Sequence, residues 1–287
     1  MIAAVRRYAG LVAFSHTIFS LPFAASAVVL SRAVPHVPLT LARVVAMIAC
    51  MAAARTSAMA FNRWADRDVD AKNPRTKSRH VPSGAVKPGE ALALALGSGA
   101  VFVACAATLG FWPLVLSPIV LAILLGYSYA KRFTWAAHLW LGVASALAPG
   151  GAWIACGATP APGIFALMAA VITWLFGFDI LYSLQDATFD RDHGLHSVPA
   201  RFGTTGALVI SAASHVVTAA CLALTGFAFH RGAPYFAACA IITGLLVWEH
   251  WIVGKGDLRR IDKAFFDVNA YVSVVFFALV VLDEALR

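Results

Sequence analysis

The sequence predicts an all-α, polytopic membrane protein, and three observations carry that prediction. Of 287 residues, 61% are hydrophobic and only 13% are charged, whereas soluble domains are about half apolar and roughly a quarter charged. The apolar residues fall into nine segments of roughly 20 residues each, the length an α-helix needs to cross a bilayer. Lys and Arg collect in the connections of one side, as expected when basic loops stay on the cytoplasmic face. Lipid allows only structures that satisfy their own backbone polar groups, so the spans are expected to be helices.

The spans are expected over residues 9–31, 40–65, 89–109, 111–130, 135–157, 161–183, 204–228, 233–253 and 265–285. The first follows the basic start "MIAAVRRY". A secretory signal has the same charge order, but the apolar run is long and another span follows, so a retained helix is expected. Turn-forming sequences separate several of the others: "PHVP" after the first, "NPRTKSRHVPSG" after the second, "CGATPAPG" after the fifth and "HRGAP" after the seventh. Together the spans form one integral-membrane domain over 1–287.

Charge sets the expected orientation. One side holds Arg6, Arg7, the 63–87 cluster, Lys131, Arg132, Arg191, Arg201, Lys255, Arg259, Arg260 and Lys263, and the other holds Arg32, Arg43, Arg231 and Arg287. The first side is therefore expected to face the cytoplasm, with the N-terminus inside and the C-terminus outside. A net charge of +8 suggests nucleic acid in a soluble protein; here topology explains it, and no nucleic-acid partner is expected. The five cysteines, Cys50, Cys105, Cys156, Cys221 and Cys239, show no CxxC or Cys/His spacing and read as small apolar helix residues.

Against this background "FNRWADRDVDAKNPRTKSRHVPSG", residues 61–84, is anomalous. Positions four apart on a helix differ by about 40° in angle, so Asn62, Asp66 and Asp70 line one stripe if the second helix runs on to 70. Asp68 points elsewhere and is expected to be solvated. A second segment, "FDILYSLQDATFDRDHGLHSVPARFG" at 178–203, repeats the pattern: Asp186 and Asp190 are four apart, with Tyr182 and Asp179 in step before them, while Asp192 and His193 fall in a loop. Two helix ends thus present carboxylate pairs on the expected cytoplasmic side. Facing carboxylates repel unless a cation lies between them. Mg²⁺ suits, because it keeps waters and binds through one or two carboxylates plus substrate phosphates. Arg75, Lys77, Arg79, Lys131 and Arg132 can hold phosphate oxygens. Carboxylates, magnesium and bases together make a diphosphate site.

"NRxxDxxxD" at 62–70, "NPRTKSR" at 73–79, "YAKRFTWAAHLWLG" at 129–142 and "YxxxDxxxD" at 182–190 resemble the UbiA superfamily of intramembrane prenyltransferases, over nearly the whole chain. The resemblance implies a nine-helix UbiA-type bundle that transfers a prenyl group from a polyprenyl diphosphate to an acceptor, usually an aromatic ring. It places the Mg²⁺–diphosphate role on Asn62, Asp66, Asp70, Asp186 and Asp190. Phosphate and substrate contacts fall on Arg63, Arg75, Lys77, Arg79, Lys131, Arg132 and Tyr182. Within the family, "FSHTIFSLPFA" at 14–24 and the 179–203 segment look like 4-hydroxybenzoate polyprenyltransferase-like proteins, especially the branch tied to futalosine-pathway menaquinone synthesis. The implied acceptor is 4-hydroxybenzoate or a related ubiquinone or menaquinone precursor, and the implied site faces the cytoplasm from the inner membrane.

The remaining polar residues have plainer expectations. Arg55 and Asp179 read as a structural intramembrane pair, since buried charges seek partners. Asn269 reads as an interhelical hydrogen-bond residue, and Glu249 and His250 as interfacial. Asp267 is a further polar group in the last span. His16 can touch an acceptor or simply pack. Two other functions share these features. A haem or glycerolipid prenyltransferase keeps the fold and changes the acceptor. A cation-coupled transporter also carries intramembrane acids, but those usually sit near the midplane, whereas both pairs here lie at helix ends beside bases.

Overall fold

The computed structural model describes residues 10–11, 19–254 and 261–287, excepting the side chains of 254 and 261–266. His16, Arg6, Arg7, Lys255, Arg259 and Arg260 lie outside the described residues, as does the side chain of Lys263. Every regular element among the described residues is helical. In chain order these are α1 (Leu21–Leu30), α2 (Leu41–Ala65), α3 (Arg67–Lys72), α4 (Pro88–Leu109), α5 (Phe111–Ala130), α6 (Ala137–Ala155), α7 (Pro162–Ser183), α8 (Ala187–Asp192), α9 (Val198–Ala228), α10 (Ala233–Gly254) and α11 (Ile261–Ala285).

Among the described residues, seven helical stretches are long and apolar enough to cross a membrane, by length and composition, against nine expected over the whole chain. The other two expected spans are also helical. Of the first, residues 10–11 and Leu21–Leu30 are helical, and 12–18 lie outside the described residues. The fifth is α6, where His138, Pro149 and the glycines at 142, 150 and 151 dilute the hydropathy. In α9, Gly203 departs from helical geometry (φ 71°, ψ 179°). An L-residue is disfavoured at positive φ, so the glycine lets a short turn from Val198 redirect into the long helix. That bend matches the sequence-based start of the span at 204.

The chain divides into two compact units, one built on Leu39–Tyr129 and the other on Ala130–Arg287 with the α1 segment up to Pro38. In the first, α2 and α4 run antiparallel. Ser57 Oγ donates to the Ala95 carbonyl at 2.8 Å, and Arg43 Nη1 to the Leu109 carbonyl at 3.2 Å, at the far end of the pair. Small residues at the crossing (Cys50, Ala53, Ser57, Ala60, Ala91, Ala95) are buried, the usual way for membrane helices to approach closely.

In the second unit α7 is the most buried span. Ser211 Oγ donates to the Gly177 carbonyl and Ser214 Oγ to the Thr173 carbonyl, each at 2.7 Å, tying α9 to α7. Asn269 behaves as expected: its Oδ1 accepts from Trp174 Nε1 at 2.9 Å and its Nδ2 donates to Glu249 Oε1 at 2.8 Å, joining α7, α10 and α11. Glu249 is therefore a buried network member, 2% exposed, and not an interfacial residue. His250 is half-buried against His215, with Nε2 and Nδ1 3.0 Å apart. Arg231, a base expected on the outer side, is buried with Asp283 and Glu284, so its charge is neutralised locally.

Helix α6 presses on α7 at Gly142, where an added Cβ would stand 2.5 Å from the Ile172 carbonyl oxygen. Backbone cannot yield there as a flexible side chain does. Gly142→Ala is expected to cost about 1–3 kcal/mol, the usual scale of overpacking. Gly151→Ala, where a Cβ meets nothing within 4 Å, is expected to be neutral or stabilising by up to about 1 kcal/mol through helix propensity. Thermal denaturation in detergent compares the two.

Candidate functional site

In the first unit, the stripe of Asn62, Asp66 and Asp70 forms although the helix is interrupted. Helix α2 stops at Ala65, and Asp66 takes φ −92°, ψ 3° before α3 begins. The hydrogen-bond register nevertheless carries through, since Asp66 N donates to Asn62 O at 2.9 Å and Asp70 N to Asp66 O at 2.7 Å. The side chains follow: Asn62 Nδ2 donates to Asp66 Oδ2 at 2.7 Å and lies 3.5 Å from Ser128 Oγ on α5. Asp70 is 5% exposed and accepts from Arg79 Nη1 at 2.7 and 2.9 Å. Arg63 lies within electrostatic reach of Asp66, Asp70, Arg79 and Tyr127. Asp68 is solvated as expected, its side chain 80% exposed beside Arg67.

The basic loop is shaped by two residues whose roles sequence analysis had not assigned. Asn73 Oδ1 accepts from Arg75 N at 2.9 Å, and Thr76 Oγ1 donates to the Asp70 carbonyl at 3.1 Å. Both are buried. The Asn-Pro dipeptide was the available signal, because Asx side chains mimic a backbone turn two residues on. The turn leaves Arg75 and Lys77 exposed while Arg79 folds back onto Asp70.

In the second unit the expected single stripe from Asp179 to Asp190 is broken. Leu184–Asp186 form a 3₁₀ turn between α7 and α8. A 3₁₀ turn advances about 120° per residue against about 100° in an α-helix, so Asp186 is rotated by up to roughly 60° relative to Tyr182 and Asp179. Tyr182 is half-buried and packs on the cluster around Ile180, Leu181 and Val198. Asp192 closes α8 and His193 caps it, rather than both lying in a loop. Asp186 and Asp190 are 6% and 2% exposed. Lys131 Nζ donates to Asp190 Oδ2 at 3.3 Å. The loop of Lys131 is pinned there, because His196 N donates to the Lys131 carbonyl at 2.7 Å and Leu195 N to the Asp190 carbonyl at 2.7 Å. Arg132 is exposed beside it.

Asp179 has a partner that sequence analysis did not single out. His138, on the first turn of α6 and fully buried, brings Nδ1 to 2.6 Å from Asp179 Oδ2. Each unit thus places a buried carboxylate against a cation at the end of a helix, Asp70 with Arg79 and Asp190 with Lys131. Buried ions persist only when paired, and this arrangement keeps acidic oxygens in place without exposing them. Among the described residues no three His, Cys, Asp or Glu side chains group into a metal cage. A closed cage suits zinc; magnesium needs only one or two carboxylates and takes its other ligands from water and phosphate. Within the first unit Asn62, Asp66 and Asp70, and within the second Asp186 and Asp190, offer oxygen donors of the kind that requirement asks for.

The profile of the UbiA prenyltransferase family matches residues 19–279. A 4-hydroxybenzoate octaprenyltransferase of Pseudomonas fluorescens (strain Pf0-1) is 30% identical over 252 residues, covering 86% of this chain and 83% of that protein. A UbiA homologue from Aeropyrum pernix K1 superposes with a TM-score of 0.85 at 36% identity, over 93% of this chain and 98% of that one. A UbiA homologue from Archaeoglobus fulgidus, solved with GPP and Mg²⁺, shares the fold with a TM-score of 0.69 at 18% identity, over 96% and 99% of the two chains. The chain belongs to the UbiA prenyltransferase family. It is an integral membrane prenyltransferase.

Proposed function

We propose that this chain transfers a polyprenyl group from polyprenyl diphosphate to an aromatic acceptor, 4-hydroxybenzoate or a related precursor of ubiquinone or menaquinone. The observation that carries it is the pair of buried carboxylate–cation contacts, Asp70–Arg79 and Asp190–Lys131, at helix ends of a family member. The whole chain acts as one catalytic domain in the inner membrane, with its site open to the cytoplasm. The 4-hydroxybenzoate octaprenyltransferase relatives support the acceptor class, and the Archaeoglobus homologue solved with GPP and Mg²⁺ supports the donor and metal.

In this reading Asp66, Asp70, Asp186 and Asp190, with Asn62, hold Mg²⁺. When bound, the metal neutralises the charge of the departing diphosphate. The protein groups do the rest. Asn62 orients Asp66 through its amide. Arg79 and Lys131 lie beside the carboxylates and take phosphate oxygens, with Arg63, Arg75, Lys77 and Arg132 adding positive charge where negative charge develops. Tyr182 contributes a hydroxyl and a ring to the substrate wall. The allylic carbon gains cationic character, and aromatic faces stabilise it by cation–π attraction. The acceptor ring attacks that carbon and then loses a proton. An apolar surround excludes water, which would otherwise capture the carbon as a prenyl alcohol.

The test offers purified protein polyprenyl diphosphates with several aromatic acceptors and Mg²⁺, and reads products by mass spectrometry. A prenylated aromatic acid, absent with EDTA, is the expected product. Prenylation of a glycerol phosphate or haem instead would move the acceptor class and keep the family.

A further inference from the structure

We propose that His138 is the base that takes the proton lost by the acceptor ring, and that Asp179 positions it. The inference rests on the aromatic-acceptor reading above. His138 is fully buried, its Nδ1 lies 2.6 Å from Asp179 Oδ2, and its Nε2 is buried with no hydrogen-bond partner. In the proposed dyad Asp179, as a carboxylate, accepts from Nδ1–H, and the neutral ring presents the Nε2 lone pair. A carboxylate behind an imidazole fixes the tautomer and stabilises the imidazolium that forms on protonation.

A purely structural histidine in a packed interior would be expected to satisfy both nitrogens, since an unpaired buried polar atom loses its hydration for nothing. Here one nitrogen is held firmly and the other is buried without a partner. Asp179 supplies a second sign of access. It sits inside an apolar span, yet its side chain keeps 20% exposure while its histidine partner keeps none. The dyad is therefore reachable at its carboxylate, while Nε2 itself has no exposed surface and must be uncovered when the acceptor binds.

Position fits the chemistry. Asp179 lies seven residues before Asp186 on the α7 segment, and His138 seven after Lys131. Along α7 and its 3₁₀ turn, seven residues span roughly 10–12 Å, so Asp179, and with it His138 at the start of α6 just after the Lys131 loop, lies deeper than the second carboxylate pair. A diphosphate at the helix end directs its prenyl carbons inward, and an acceptor ring attacking the first carbon lies further in still. Close packing at Gly142, one turn after His138, holds α6 against α7 and fixes the two partners together.

The bond between the allylic carbon and the diphosphate oxygen breaks, with its electron pair leaving on the diphosphate. A ring carbon of the acceptor supplies the pair for the new carbon–carbon bond. The hydrogen on that ring carbon passes to His138 Nε2 as a proton, and its bonding pair restores the aromatic ring. Asp179 balances the imidazolium until the proton is released.

The test uses the full chain in detergent with Mg²⁺, geranyl diphosphate, and 4-hydroxybenzoate in ordinary and ring-deuterated forms. Three quantities are read: binding of geranyl diphosphate, the transfer rate, and the isotope effect on transfer. For wild type the isotope effect is expected near unity, because forming the carbon–carbon bond limits the rate. His138→Gln is expected to bind geranyl diphosphate as wild type does, to transfer about 100-fold or more slowly, the scale for losing a general base, and to show a primary isotope effect because deprotonation has become limiting. Asp179→Asn should move the same way to a smaller extent, and Asp179→Glu should recover part of the rate. A slow His138→Gln with an isotope effect still near unity, or with lost diphosphate binding, would mean that the dyad is structural and overturn the proposal. So would a His138→Gln variant with wild-type rate. A wild type that binds geranyl diphosphate yet prenylates no aromatic acceptor removes the acceptor reading itself, and the dyad's role with it. The state of the wild type thus separates the two failures.

Discussion

Asp66→Asn and Asp190→Asn are each expected to nearly abolish Mg²⁺-dependent prenyl transfer while the protein remains folded. Each change keeps the shape of the side chain and removes one negative oxygen from a proposed metal ligand. Diphosphate binding should weaken chiefly in the presence of Mg²⁺. Leaving-group stabilisation should weaken more, because the charge on the departing oxygen grows toward the transition state. The loss is expected to reach about 3–5 kcal/mol in transition-state free energy, or roughly two to three orders of magnitude or more in rate. Asp68→Asn is the internal control. Its side chain is 80% exposed beside Arg67, and surface pairs of that kind contribute about 0–1 kcal/mol, so activity should stay near wild type. The double variant Asp66→Asn/Asp190→Asn extends the test. If both carboxylates serve one metal–diphosphate group, the combined loss falls well short of the product of the single losses. Full activity in either single variant, or equal damage from Asp68→Asn, would show that the carboxylate stripe has been misassigned.

The sequence made most of the bilayer architecture legible, because a ~20-residue apolar run in lipid has few structural options. Spans expected over 40–65 and 161–183 appear as Leu41–Ala65 and Pro162–Ser183. Legibility was weaker where local geometry departs from the regular helix. Nothing in "LYSLQDATF" marks Leu184–Asp186 as a 3₁₀ turn, and the four-residue spacing alone suggested a continuous stripe. Partners distant in sequence were harder still. The isolated His138 carries no periodic signal, and its carboxylate is 41 residues away. Glu249 was assigned to the interface from its place near the end of a span, but its partner Asn269 on the next helix holds it in the interior. Asn269 itself was legible, since an amide in a transmembrane helix has little to do except bond to a neighbour. The acidic motifs were recognisable because spacing along one helix is local information. Their counter-ions were only partly so: Arg79 and Lys131 were among several nearby bases, and the turn made by Asn73 and Thr76 selects Arg79 from its loop.

That selection sets up the second large effect. Arg79→Met is expected to destabilise the protein, because it leaves the Asp70 carboxylate, 7% exposed at the side chain, without the guanidinium that pairs with it. Removing one partner of a fully buried pair costs about 3–5 kcal/mol. The Arg79 side chain is 29% exposed, so solvent screens part of that interaction and roughly 1–3 kcal/mol is the appropriate scale. Combining it with Asp70→Asn removes the uncompensated charge, and the double variant should regain much of the lost stability in a detergent melt. Activity should behave differently. Asp70→Asn takes away a proposed metal ligand and Arg79→Met a proposed phosphate contact, so the double variant is expected to be stable and nearly inactive. Recovery of stability without activity separates the two uses of this pair: charge neutralisation in the folded chain and diphosphate handling during turnover. If stability and prenyl transfer return together, Asp70 and Arg79 act only as a structural ion pair, and the magnesium role must rest on Asp66, Asp186 and Asp190.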